Sequence, residues 1–396
     1  MHNRILFITP NLENVGAPRS MLRMCKVARD LGYDVSVWSR NPGPLCAEYQ
    51  ENGFDVRILS TLDAFRRSVR NEIKQFDLAV CNTIELERYE RLCSRYIPTV
   101  WYVREAANIH FFLKCHRTRL STLKKSRNIV CLSEYAAEAL KKYTKQELRV
   151  VRNCIEDESG IVNALTPGCS ERVRFFQLGS LEHRKGYDVI LAAYGAMPAD
   201  YQERSELIFA GRITPSTAEY ANNILKYLNT LPNGHYMGEL MGIERLKAIG
   251  EMDVVIVASR DDACALTALE GAMLSRPLIV TENVGGKYVV KADSGMIVKT
   301  DDVENMKSAM MQMIDKKDKL AEMGRQSRLH YEEMASMEVY EHSMEQLFKL
   351  CEKKYSKAFK YERLRNSIVM RPYIAEGLDL CSAVLMRLKL IIRKTE

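Results

Sequence analysis

The sequence predicts an α/β protein of two Rossmann-like, doubly wound domains facing a central cleft, on three observations. The chain has 396 residues, more than one hydrophobic core usually spans. Short β-rich apolar runs alternate with longer helical patterns, as a parallel sheet with crossover helices requires. The alternation occurs twice, on either side of a poorly patterned stretch, 155–171, that contains Gly160, Pro167 and Gly168.

In the first series Arg4–Thr9 reads as a buried strand. A helix follows over Ser20–Leu31, with Met21, Leu22, Met24, Cys25, Val27, Ala28 and Leu31 as its apolar stripe and Gly32 as its stop. Asp34–Ser39, Phe54–Leu59, Leu78–Cys81, Thr99–Val103, Asn128–Leu132 and Arg149–Arg152 continue as strands. The second series has strands at Val173–Leu178, Leu207–Ala210, His235–Met237, Val254–Ala258, Leu278–Val280 and Gly295–Val298. Its helices are Tyr187–Met197, Ala218–Leu228, Ile243–Ile249, Ala265–Leu274 and Val303–Lys316. The domains therefore fall at 1–155 and 173–335, with a linker at 156–172 and helical patterns over 336–396. Ligands of such sheets bind beyond the carboxyl ends of the strands, so the chemistry belongs in the loops after them.

Composition excludes several classes. No apolar run reaches 18 residues, and the N-terminal run Ile5–Ile8 is too short for a signal sequence, which predicts a cytoplasmic protein. The eleven cysteines are odd in number and none has CxxC spacing, which argues against a disulfide framework or a zinc site. The net charge of +7 belongs to the tail, where Lys353–Glu396 holds eleven Lys/Arg against four Asp/Glu. A second basic cluster is Lys114, Arg117, Arg119, Lys124, Lys125 and Arg127, with no acid among residues 113–127. Such segments suit an anionic membrane surface, or are solvated helix faces.

Two segments carry chemistry. Ser259–Met273 follows a hydrophobic strand; its loop holds Asp262, and a helix opening near Ala265 holds Glu270. A helix N-terminus offers free N–H groups and a positive dipole end to phosphate, and carboxylates on either side suit sugar hydroxyls. Leu178–Asp188 follows another strand and contains Gly179, Arg184, Lys185 and Gly186. Glycine admits a ligand close to the backbone, and the cations neutralise a diphosphate. Taken alone, the second segment is also a common Lys-Gly turn before a helix.

These residues resemble the retaining enzymes of glycosyltransferase family 4, whose fold is GT-B. Asp262 and Glu270 look like the E-x7-E acids of that family, with Asp for Glu at 262. The resemblance implies that Glu270 binds the nucleotide ribose, Asp262 contacts the donor sugar, and the amides around Ala265, Leu266 and Thr267 meet the diphosphate. Leu178–Gly186 is similar to the family's G-x-L-x-x-x-K-G loop. Lys185 matches its lysine, Ser180 stands where an arginine is usual, and Arg184 is expected to replace that charge. Thr9–Ser20, with Gly16, is similar to the glycine-rich loop after the first strand; its plain reading is a strand–helix connection capped by Ser20. Gly211 and Gly238 lie in loops similar to those flanking the base.

Val100–Ala106 carries Arg104 where many relatives have a histidine. Arg104 either hydrogen-bonds sugar or phosphate or pairs with Glu105, and Asn82 after the fourth strand faces the acceptor or only ends the strand. The resemblance further implies final helices that return to the first domain, and no metal or other cofactor. The expected activity is retaining transfer of a sugar from a nucleoside-diphosphate sugar to a glycan or lipid-linked glycan, in bacterial surface polysaccharide synthesis. The expected place is the inner membrane face, with 113–127 and 353–396 on anionic lipid and no nucleic acid as partner. The alternatives are a catalytically silent GT-B partner subunit or a sugar-nucleotide epimerase of the same fold.

Overall fold

The computed structural model describes residues 3–362 except 61, 62, 64, 65 and 107, with backbone alone for 115, 117 and 352–362. The basic tail 353–396 therefore lies, beyond the backbone to 362, outside the described residues.

The chain forms two units. The first holds residues up to Val151 and the described residues from Glu341; the second is Arg152–Tyr340. The first contains a seven-stranded parallel sheet made of β1 (Arg4–Thr9), β2 (Asp34–Ser39), β3 (Asp55–Ile58), β4 (Leu78–Asn82), β5 (Thr99–Val103), β6 (Ile129–Cys131) and β7 (Leu148–Val150). Their order is β3-β2-β1-β4-β5-β6-β7. The second unit has β8 (Val173–Leu178), β9 (Ser205–Ala210), β10 (Gly234–Tyr236), β11 (Val254–Val257), β12 (Leu278–Thr281) and β13 (Gly295–Val298), ordered β10-β9-β8-β11-β12-β13 and again parallel. Both units are doubly wound, with the order reversing beside β1 and beside β8. Central strands are buried on both faces, which is why they read as unbroken apolar runs: Ile5, Leu6 and Phe7 are fully buried, as are Val254, Val255 and Ile256.

Beyond shifts of one or two residues at element ends, three differences from the sequence expectation bear on the organisation of the chain. The first helix runs Gly16–Asp30, not from Ser20, with Val15 as an N-cap that makes no side-chain bond. Pro18 fits inside its first turn because the N–H it lacks has no partner there anyway. Ser20 is thus a buried helical residue and not a cap.

The expected linker 156–172 packs into the second unit. Asp253, fully buried, accepts from the Gly168 N–H (2.7 Å) and the Arg174 N–H (2.9 Å). Buried Arg276 donates to the carbonyls of Leu165 (2.6 Å) and Met252 (2.7 Å). These charged groups satisfy backbone polar groups that a buried connection would otherwise leave unpaired.

Finally, the helix Met337–Glu362 begins among second-unit residues, and the grouping passes to the first unit at Glu341. There Phe348 meets Tyr33 edge-on at 5.5 Å. No described helix is long and apolar enough to cross a membrane.

Candidate active site

The site of the second unit is built where β8 and β11 end. Beyond β8 a short turn, His183–Lys185, closes on Gly186, and the helix Tyr187–Gly195 starts at once. Gly186 has φ +69°, and a Cβ there would stand 2.1 Å from the Ala258 carbonyl oxygen, so only glycine lets the loop turn against β11. Gln177, buried on β8, donates from Nε2 to the Lys185 carbonyl (3.0 Å). Lys185 is thereby fixed with its ammonium on Asp262: Nζ to Oδ2 is 2.7 Å, with both side chains largely buried. Arg184 Nη1 reaches the same oxygen at 3.4 Å and the Asp261 carbonyl at 3.0 Å. The Cys264 N–H donates to Asp262 Oδ1 at 3.2 Å. Burial alone would raise the Asp262 carboxyl; the ammonium of Lys185, then Arg184 and the Cys264 amide, outweigh it and hold the group below the usual carboxylate range.

The Asp262 loop is tied to its neighbours on both sides. Its N–H donates to the Asn283 carbonyl (3.1 Å), and its carbonyl accepts from Gly285 (2.7 Å). Arg260 links it to the β8 loop: its amide donates to the Arg184 carbonyl (2.8 Å) and its guanidinium grips Asp188 through two bonds of 3.0 and 2.7 Å. It also reaches Asp301 at 2.6 Å. Next comes the helix Leu266–Met273, with Ala265 as an N-cap that makes no side-chain bond and no acid in the first turn. Its leading amides are uncapped by side chains, and Thr267 Oγ1 donates back to the Leu178 carbonyl at 3.4 Å. Arg184 also pairs with Glu182 at 2.7 Å, so both cations are matched by carboxylates, and the uncapped amides of the helix start beside them are what suits a phosphate.

Glu270 is 4% exposed, and its Oε1 accepts from Arg245 Nε (3.0 Å) and Nη2 (2.8 Å). The residue expected at a ribose is therefore ion-paired to the helix Gly242–Gly250. Sequence reasoning missed Arg245, because a half-exposed arginine on a helix carries no local signal. The three glycines expected at the nucleotide sit side by side. Gly179 donates to the Ala210 carbonyl (3.0 Å) and Gly211 to that of Gly238 (2.8 Å). A Cβ on Gly211 would fall 1.6 Å from the Gly179 oxygen, so packing of loop on loop itself demands this glycine.

In the first unit, the residues expected at the acceptor also meet. Asn82, fully buried at the end of β4, bonds Arg104 Nε through Oδ1 and donates to the Ala17 carbonyl (3.2 Å). The Arg104 side chain therefore goes to Asn82 and not to Glu105. Glu105 Oε2 instead accepts the N–H groups of Arg104 (2.9 Å) and Ile84 (3.1 Å). Burial dominates those bonds and pushes its carboxyl up to about 7. Between Asn82 and Ile84 stands Thr83 with φ +97°, a strained conformation for a β-branched residue. Gly16 opens the first helix with nothing near its missing Cβ. Among the described residues, no group of three His, Cys, Asp or Glu is placed to hold a metal.

Comparison with known proteins bears on the fold. Residues 170–330 match the family described as Glycosyl transferases group 1. No curated protein matches the sequence. Among solved structures, Alr3699/HepE of Anabaena in complex with UDP is similar over 88% of this chain and 100% of its own, at 13% identity and a TM-score of 0.75. A glycosyltransferase of Rickettsia africae is similar over 88% and 98% of the two chains, at 16% identity and 0.73. Sucrose-phosphate synthase of Thermosynechococcus elongatus follows over 88% and 99%, at 16% and 0.69. The two Rossmann-like units have the GT-B fold of these structures. The match over residues 170–330, together with that fold, supports a glycosyltransferase.

Proposed function

We propose that the protein is a retaining glycosyltransferase of family 4 that moves a sugar from a nucleoside-diphosphate sugar to a glycan or lipid-linked glycan of the bacterial surface. The observation that carries the donor half is the cluster of Lys185, Arg184 and Asp262 beside the uncapped start of Leu266–Met273. Those cations and amides would stabilise the charge that develops on a departing diphosphate, so no metal need enter. In this reading Glu270 accepts from the ribose, Asp262 reaches the donor sugar, Gly179, Gly211 and Gly238 line the nucleotide, and Asn82, Arg104 and Glu105 serve the acceptor. UDP-sugars are the first donors to try, because Alr3699/HepE is described with UDP and with UDP-glucose.

The membrane side of the proposal rests on the segment after Asn108. Phe111 is 61% exposed, and Lys114, Lys124, Lys125 and Arg127 of the same segment are also exposed. Arg119 is not part of that surface: it is buried against Glu87 at 3.2 Å. A segment that exposes both an apolar ring and cations suits the headgroup region of an anionic bilayer on the cytoplasmic face.

Turnover measured across UDP-, GDP-, ADP- and TDP-sugars, with and without a chelator, tests the reading. One donor should be consumed, metal or no metal, and Glu270→Ala and Lys185→Ala should each abolish that consumption while the protein stays folded. Wild-type rates from both variants would refute the site.

A further inference from the structure

In the first unit Arg40 pairs with Glu85 at 3.0 Å, Arg57 with Glu72 at 2.5 Å and Arg119 with Glu87 at 3.2 Å. Arg23 and Arg104 have no such match among the described residues. Arg23, on the helix Gly16–Asp30, keeps Nε and Nη2 away from water with no acceptor, and Arg104 keeps Nη2 in the same state. Two contacts tie the surroundings of Arg104 to the helix that carries Arg23. Asn82, which holds Arg104 Nε, also donates to the Ala17 carbonyl in the first turn of the helix that carries Arg23. Tyr49, fully buried, donates to the Pro18 carbonyl of that helix at 2.6 Å; burial raises its hydroxyl, and the Arg104 and Arg23 charges oppose that shift. The adjacent acid, Glu105, has Oε2 occupied by two backbone amides.

A guanidinium carries five donors, no acceptor, and a charge it cannot shed. Each enclosed donor left unmet costs about 1–3 kcal/mol. Three such donors on two cations without a carboxylate partner, one of them (Arg104) over the Tyr102 ring at 4.5 Å, leave room for an acceptor from outside the chain. That acceptor must be negative, because a neutral hydroxyl would leave both charges unbalanced, and rich in oxygen. A phosphoryl group meets both needs and matches the guanidinium fork.

We propose that Arg23 and Arg104 form an oxyanion site in the first unit that holds a phosphoryl group of the acceptor. The word acceptor rests on the glycosyltransferase reading, in which the groups assigned to the donor diphosphate, Lys185, Arg184 and the start of Leu266–Met273, all belong to the second unit. Arg23 then adds to Arg104 a cation that no sequence motif marks.

The test is calorimetric titration of the full chain and of its Arg23→Gln, Arg104→Gln and Arg19→Gln variants. The probes are inorganic phosphate, glucose 6-phosphate, geranyl diphosphate, glucose, and the nucleoside diphosphate of whichever donor the panel above identifies. Arg19 is an exposed arginine of the same helix and controls for bulk charge. The expected result is binding of at least one phosphorylated probe but not of glucose, weakened tenfold or more by R23Q and by R104Q and untouched by R19Q. Which probe binds tightest separates free phosphate, a sugar phosphate and a lipid-linked diphosphate as the source.

Nucleoside-diphosphate affinity should stay within twofold in all variants, and the unliganded melting temperature of R23Q should not fall, since an unpaired cation has been removed. Absence of phosphate-probe binding, or binding indifferent to both substitutions, overturns the site. Parallel loss of nucleotide affinity overturns its assignment to the acceptor. A wild-type protein that binds phosphate in this manner but consumes no sugar nucleotide would sink the glycosyltransferase reading alone.

Discussion

Lys185→Met, Asp262→Asn and their combination form a cycle that probes the centre of the donor site. In the structure Lys185 Nζ lies 2.7 Å from Asp262 Oδ2, with the two side chains 17% and 13% exposed. Removing one member of a fully buried pair costs about 3–5 kcal/mol, because the other charge is left without its partner. Asp262 would keep Arg184 at 3.4 Å and the Cys264 amide at 3.2 Å, so about 2 kcal/mol is expected for K185M. A unit of this size shifts by roughly 2–4 °C per kcal/mol, giving a fall of about 4–8 °C. D262N should cost less, about 1 kcal/mol, because a long lysine stem can carry its ammonium back toward water. The double variant should lose less than the sum, with a coupling of about 1–2 kcal/mol.

Calorimetric melting reads the cycle, followed on the transition that moves when nucleotide is added. The sign with pH is fixed by the depressed Asp262 carboxyl. Its contribution is present above the unfolded carboxylate value and disappears as acid protonates the folded group, so wild type should lose stability below about pH 4 more steeply than D262N. Additive effects within about 0.3 kcal/mol would mean that the ion pair does not exist in solution, and the geometry argued for the donor seat would go with it.

The first unit responds to pH in the opposite sense. Burial pushes both Glu105 and Glu90 up to about 7. The folded state therefore holds protons that the unfolded state releases, and stability should fall between about pH 4.5 and 7 by the order of 3 kcal/mol per group. E105Q should remove part of that slope in pH-dependent melts, and an unchanged slope would refute the assignment. Arg245→Ala should leave the Glu270 carboxylate buried and unpaired and weaken nucleoside-diphosphate binding by roughly 1–2 kcal/mol. The same substitution should cost little with a 3′-deoxyribose analogue, and an equal loss with both ligands would show that Arg245 does not act through the ribose. Gly16→Ala meets open space and should leave the melting temperature unchanged or raise it slightly. If, as the resemblance to the glycine-rich loop implies, Gly16 lets the loop approach substrate, transfer should still fall; full activity would remove Gly16 from the site.

The elements whose pattern is local were legible in the sequence. Arg4–Thr9, Asp34–Ser39 and Val173–Leu178 run from the residues expected to the residues expected, because a strand buried on both faces declares itself as a continuous apolar run. The two loops proposed for the donor stood out in the sequence for a related reason: glycines, a lysine and two acids at fixed spacing after strands restrict what the backbone can do there. The start of the first helix was misjudged, since Ser20 has the composition of a cap while Pro18, three places into the helix, looks like a breaker. The segment 156–172 reads as a linker because it lacks period, although its carbonyls and amides are claimed by Asp253 and Arg276 from far along the chain.

Sequence alone thus determined the layers, the order of strands and helices, and the kinds of charged residue that stand at the strand ends. Only tertiary structure decided which of those charges meet. Lys185 with Asp262, Glu270 with Arg245, and Arg104 with Asn82 are partners separated by 77, 25 and 22 positions. Period and propensity act over a few neighbouring residues, whereas an ion pair depends on where two distant loops come to rest once their strands have packed.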